Sequence, residues 1–137
     1  LSSNQWSDRR DGLVTIKTMM DNKREFNLNE LKRLCEIFSR LFTDQHTKVF
    51  SIFLEVLNEF ITIYKSNLRD WLLVLLTRLL IKQGNENLTS VTRKIIMCLE
   101  TVRTSFALDL QFKALITFIR DNTMQNANYK VKIAVLN

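Results

Sequence analysis

The sequence predicts an all-α fold of stacked helix pairs, and three observations carry that prediction. Apolar residues recur along nearly the whole chain at the 3.6-residue spacing of helices that face a core. The 137 residues include two Gly and no Pro, whereas hairpin turns need residues that accept positive φ and sheet edges need ladder breakers. Hydrophobic residues make up 46% and charged residues 25%. That is too apolar for a disordered chain and enough for one domain, or a piece of one, that buries roughly two-thirds of the surface its unfolded form exposes.

Seven helical stretches follow in order. The first covers 7–21, with Leu13, Ile16, Met19 and Met20 on one face. The second covers 28–42, where Leu28, Leu31, Leu34, Cys35, Phe38, Leu41 and Phe42 form a broad stripe behind Asn27 and Glu30, a capping-box pair. The third covers 47–64 behind Asp44, and the fourth 68–82 behind Asn67. The fourth is apolar nearly all round (Trp71 to Leu76, Leu79 to Ile81), so it is expected to lie centrally, flanked on both sides. Residues 84–87, Gly-Asn-Glu-Asn, are expected to break the chain. The fifth covers 89–106 and the sixth 108–122; the seventh begins near 128 and is still in progress at Asn137.

An internal repeat underlies the pairing. Arg9, Lys48, Lys94 and Lys130 each precede adjacent core residues at +4 and +5 (Leu13-Val14, Ile52-Phe53, Cys98-Leu99, Ala134-Val135) and stand 39, 46 and 36 residues apart. Those intervals sit within or near the ~40–47 residues of HEAT and armadillo units. The expected architecture is an α-solenoid of HEAT-like pairs at about 5–43, 44–83 and 87–124, with a fourth unit at 126–137 incomplete.

The chain carries 20 Lys and Arg against 14 Asp and Glu, a net charge of +6. This points to an acidic partner without choosing among nucleic acid, anionic membrane and acidic protein. Two Cys without paired spacing favour a reducing compartment. The longest apolar run, 71–81, is interrupted by Thr77 and Arg78 and is too short to cross a bilayer, and the start of the chain has no signal-peptide pattern. The protein reads as soluble, with cytosol or nucleus as the default.

No catalytic, cofactor-binding or metal-binding set is legible. His46 is the single imidazole and stands between Asp44 and Lys48 without a nucleophile motif, which fits a surface or capping residue. One His and two distant Cys make no zinc site. Gly12 and Gly84 are solitary rather than phosphate-cradling. Asp109 and Asp121 fall at opposite ends of one helix, and Glu55 with Glu59 on a solvent-facing side. Cys35 and Cys98 fall on core stripes. The expectation is a binding protein, not an enzyme, without cofactor.

Stacked repeats would align Arg9, Lys48, Lys94 and Lys130 along one edge, beside helix N-termini that add partial positive charge. The same bases could equally be solubilising residues. Trp6 precedes the first stripe at that edge, where an aromatic beside cations has the composition of a protein-binding hot spot; a staple against its own helix is the alternative.

Gln5-Trp6-Ser7-Asp8-Arg9-Arg10-Asp11-Gly12-Leu13, Glu30-Leu31-Lys32-Arg33-Leu34-Cys35-Glu36-Ile37-Phe38, the segment from Asp44 to Phe50, Asp70-Trp71-Leu72 and Lys130-Val131-Lys132 together resemble a TOG domain of the CLASP family of microtubule-associated proteins, nearest its third TOG domain. The resemblance implies a paddle of six HEAT-like repeats, here truncated within the fourth, whose intra-repeat loops form one edge against αβ-tubulin. It places Trp6 on the first loop, Thr47, Lys48 and Val49 on the second, Arg93 and Lys94 on the third and Lys130 on the fourth, and with them Arg9 from the row of bases would meet acidic tubulin surface. In that scheme the helix pairs shift by one helix and the edge stays where it is. It also implies microtubule stabilisation, rescue and suppression of catastrophe, and mainly the β-tubulin side of the contact. For the whole protein it implies end-binding and CLIP-type plus-end partners, and a place at plus ends, spindle, kinetochore, centrosome and Golgi-associated microtubules. Truncation would expose the stripe of Ile133, Ala134 and Leu136, so the native protein is expected to continue. The rivals are a HEAT scaffold for another acidic protein and, less well supported, a nucleic-acid binder, since two Tyr and two Trp accompany the bases and no groove-entering motif is present.

Overall fold

The computed structural model describes residues 3–124, with side chains to 120. Among them are six α-helices, α1 (Trp6–Asp21), α2 (Leu28–Leu41), α3 (Thr47–Tyr64), α4 (Leu72–Asn85), α5 (Thr89–Ser105) and α6 (Leu108–Met124), and no strand. The all-α solenoid stands. The seventh stretch, Lys130 and the stripe of Ile133, Ala134 and Leu136 lie outside the described residues.

Helices α1, α3 and α5 lie side by side in one row and α2, α4 and α6 in a second, with α2 packed on α3 and α4 on α5. Contacts within the first row advance together along both partners, Trp6 with His46 and then Lys17 with Glu59, and Lys94 with Ser51, Cys98 with Leu54 and then Thr101 with Asn58, so its helices run parallel. The helices joined by the connections 42–46 and 86–88, α2 with α3 and α4 with α5, touch more extensively than α1 with α2 or α3 with α4.

Local chemistry explains the boundaries. Asn27 Oδ1 accepts from the Glu30 amide at 2.8 Å and Glu30 Oε1 from the Asn27 amide at 3.1 Å, the expected capping box, worth about 1 kcal/mol. Helix α1 ends with Lys23 at φ 59°, whose N–H reaches the Met20 carbonyl while that of Arg24 reaches Met19. This is a Schellman closure with lysine in the left-handed position that glycine usually holds.

Three expectations change. The fourth helix starts later than position 68: two 3₁₀ turns, Lys65–Asn67 and Arg69–Trp71, precede it. The chain bends there because Leu68 drops into the core with 1% exposure and Trp71 is held by its Nε1–H to Ser39 Oγ at 2.9 Å. Gly84 does not break the helix but lies buried inside α4. The break falls at Glu86, whose Oε1 accepts from the amides of Asn87 and Leu88, each at 3.1 Å. Finally, α4 lies between α2 and α6 in its row, yet Leu73, Val74 and Ile81 remain exposed. The central helix is α3, which buries Val49, Phe50, Phe53, Leu54, Val56, Leu57, Phe60 and Ile61. Its neighbours contribute rings, Phe38 and Phe42 edge-on at 5.0 Å to Phe60 and Phe53 respectively.

Candidate interaction edge at the starts of helices α1, α3 and α5

Parallel helices put their N-termini along one edge, and the residues gathered there are Trp6, Arg9 and Arg10 from α1, the Asp44–Lys48 segment ahead of and opening α3, and Arg93 near the start of α5. Trp6 is the first residue of α1 and half-buried. Its indole stacks on the imidazole of His46 at 4.4 Å between centroids and 11° between planes. Two cations approach the same indole, Arg10 with Cζ at 5.0 Å and Lys48 with Nζ at 5.9 Å. The ring is thus covered by the neighbouring helix start, neither swallowed by the core nor free in solvent. Contacts of this kind contribute about 0.5–1.5 kcal/mol for a ring pair and about 0.5–1 kcal/mol for an exposed cation over a ring.

The backbone that carries this stack is held by Asp44. Its carboxylate, on a side chain 5% exposed, takes Arg9 in a fork, Nε at 2.7 Å and Nη2 at 3.2 Å. The same carboxylate accepts the His46 amide at 2.9 Å. Arg9 Nη1 also donates to the Ser3 carbonyl at 2.9 Å. His46 occupies the N-cap position of α3 without a side-chain cap bond, and its Nδ1 is buried without a hydrogen-bond partner among the described residues. Stacking, not hydrogen bonding at Nδ1, holds the ring.

The expected edge residues separate into groups. Trp6, Thr47, Lys48 and Arg93 reach the surface there, Thr47, Lys48 and Arg93 being exposed. Arg9 lies at the edge with its guanidinium committed to Asp44. Lys94 Nζ is likewise committed, to Glu55 at 3.0 Å and to the Ser51 hydroxyl, bridging α5 and α3. Val49 is a correction: with 0% exposure it belongs to the core stripe of α3 and offers nothing to a partner. Lys130 lies outside the described residues. Glu55 and Glu59 are also more than solvated acids, since they pair with Lys94 and Lys17 across helices, at 3.0 and 3.1 Å. Sequence reasoning set Asp44 ahead of the third helix but missed its pairing with Arg9, the approach of Arg10 to Trp6 and the stacking role of His46. An Asp two residues before a helix N-cap was a signal for an Asx turn; the stack, 40 residues apart in the chain, had none.

The thiols do not supply chemistry. Burial, and next the neighbouring Glu36, pushes Cys35 up to about 11, and burial pushes Cys98 up to about 12. Both stay protonated and poorly nucleophilic at neutral pH. A thiol-specific disulfide reagent at pH 8 is expected to label neither in the folded chain and both in urea. Because the folded values lie above the ordinary 9.0, the unfolded chain releases these protons first. The stabilising contribution is full below pH 9 and falls as pH rises toward 11–12, visible as a declining urea midpoint. Among the described residues no three His, Cys, Asp or Glu gather to hold a metal, and no helix is long and apolar enough to cross a membrane.

No family model matches the chain. CLIP-associating protein 1 of Xenopus tropicalis is 48% identical over 136 residues, which is 98% of this chain and 9% of that protein. CLIP-associating protein 1-A of Xenopus laevis shows the same 48% over 136 residues, again 98% and 9%. The CLIP-associating protein of Drosophila melanogaster is 38% identical over 135 residues, 98% of this chain and 9% of that protein. The chain therefore spans 9% of the length of the curated relatives it matches.

Proposed function

The chain belongs to the CLIP-associating protein (CLASP) family as a segment of it, and from that premise we propose that it is a TOG-type module that binds tubulin through the edge at the starts of α1, α3 and α5. It works by binding, not bond making. Within the whole protein the binding serves to stabilise microtubules, promote rescue and suppress catastrophe, on cytoplasmic microtubules and in concert with CLIP-type and end-binding partners. The observation that carries this reading is the Trp6–His46 stack with Lys48 beside it and Arg93 further along the same edge, an aromatic anchor among cations.

The roles follow from exposure. Trp6 is the apolar anchor, Thr47 and Lys48 flank it, and Arg93 extends the positive edge toward α5, with Lys130 continuing the series along the chain. Arg9 and Lys94, neutralised by Asp44 and Glu55, shape the edge rather than meet the partner. Rim cations chiefly set on-rate and orientation. The double reversal Lys48→Glu with Arg93→Glu is therefore expected to lower microtubule affinity about tenfold, mostly through association rate, and to flatten its dependence on salt. Co-sedimentation and stopped-flow binding at 50 and 200 mM salt read this out. An unchanged affinity would remove the edge from the contact. A steep salt-dependent shift with duplex or single-stranded nucleic acid in place of tubulin would move the assignment to the nucleic-acid class.

A further inference from the structure

Arg9 looks by sequence like one more cation for the partner, but its geometry gives it other work. It sits three residues after Trp6, close to one helical turn on, and its fork onto Asp44 crosses from α1 to the segment ahead of α3. Asp44 stands two residues before His46 and holds that residue's amide. One buried carboxylate thus ties down both halves of the Trp6–His46 stack, one through a guanidinium and the other through a backbone N–H. Charge-assisted, two-pronged bonds fix direction as well as distance. The imidazole has no hydrogen bond at Nδ1 to orient it, so its placement depends on this backbone anchor and on the indole. Lys48, two residues further on and also near the indole, inherits the same placement.

We propose that Asp44, with Arg9, is the positioning pair of the edge: it presets the Trp6–His46–Lys48 arrangement before any partner arrives and touches no partner itself. Its binding consequence rests on the tubulin-binding reading, whereas its effect on the stack does not. Preorganisation of this kind raises affinity by removing the cost of ordering side chains on association.

The test uses the chain with Trp71→Phe, which leaves Trp6 as the one indole. Asp44→Asn keeps the size of the side chain and an acceptor for the His46 amide while removing the charge that holds Arg9; Arg9→Gln removes the other half and serves if the first variant folds poorly. His46→Ala gives the reference spectrum of an unstacked indole. With far-UV circular dichroism unchanged, either variant is expected to shift Trp6 emission and acrylamide accessibility toward the His46→Ala values. In parallel, microtubule affinity in the wild-type background falls about tenfold, as expected for lost preorganisation of an anchor. Trp6 emission and accessibility that stay at the parent values in folded Asp44→Asn and Arg9→Gln, while His46→Ala changes them, overturn the proposal. The binding reading fails separately, if Trp6→Ala leaves affinity intact while the fluorescence response is as expected.

Discussion

Trp6→Ala is expected to weaken microtubule binding by more than tenfold, a loss of about 2 kcal/mol, while leaving the chain folded. The size follows from where the indole sits. It is half-buried at the first residue of α1, covered by His46 and approached by Arg10 and Lys48. A partner surface that closes over it desolvates a large ring already immobilised by the stack, so little ordering entropy opposes the contact. Rigid aromatics flanked by cations dominate protein interfaces for this reason. The same placement limits damage to the fold, because the core proper is built on α3 and loses only partial contacts with Trp6. Co-sedimentation of wild type, Trp6→Ala and Trp6→Glu measures the effect, with thermal melts as the control for folding. If Trp6→Glu pellets with microtubules as well as wild type, the anchor role is wrong. A His46→Ala variant adds a gradation: it keeps the indole but frees it, so the expected loss is smaller than for Trp6→Ala.

The division between what could and could not be read from the sequence follows the range of the interactions. Helix existence, the Asn27–Glu30 box and the core stripes are local, set within a few residues, and their periodicity was visible. Val49 belongs to this class: its place in the stripe with Phe53 and Val56 marks it as buried, and only the loop assignment drew it to the edge. The late start of α4 is intermediate in range, because Trp71 ends the turn through a bond to Ser39, 32 positions back in the chain. The candidate site is the non-local extreme. Trp6 with His46 and Arg9 with Asp44 join residues 40 and 35 positions apart, and neither pair has a pattern that spacing or composition can reveal. Cations near the helix starts were legible as a pattern, but which of them face outward was not, since Arg9 and Lys94 differ from Lys48 and Arg93 in having acids that reach them from elsewhere in the chain, Asp44 ahead of α3 and Glu55 on α3.

Phe53→Ala should cost the fold about 3–5 kcal/mol, the largest stability effect expected of a single truncation here. Phe53 has 0% exposure and stands in the middle of an aromatic group, with Phe38 at 5.7 Å, Phe42 at 5.0 Å and Phe50 at 5.9 Å between centroids. Truncation removes the transfer energy of the ring and leaves a cavity walled by three other rings that cannot all collapse into it. Since single domains are stable by about 5–15 kcal/mol, the variant loses roughly a fifth or more of its margin, and its melting temperature falls by about 10 °C or more. Urea unfolding reads this as a lower midpoint at unchanged slope. Phe112→Ala, at a ring 57% exposed, is the control and should change stability by less than about 0.5 kcal/mol. The effect also reaches the edge. Phe42 is the last core residue before the segment that carries Asp44 and His46, and its edge-on contact with Phe53 anchors that segment to α3. Phe53→Ala is therefore expected to loosen the Trp6–His46 stack at temperatures where the chain is still folded, raising acrylamide access to Trp6. A stability loss below about 1 kcal/mol would overturn the packing role of Phe53, and an indole as protected as in the parent would show that the aromatic group and the edge are independent.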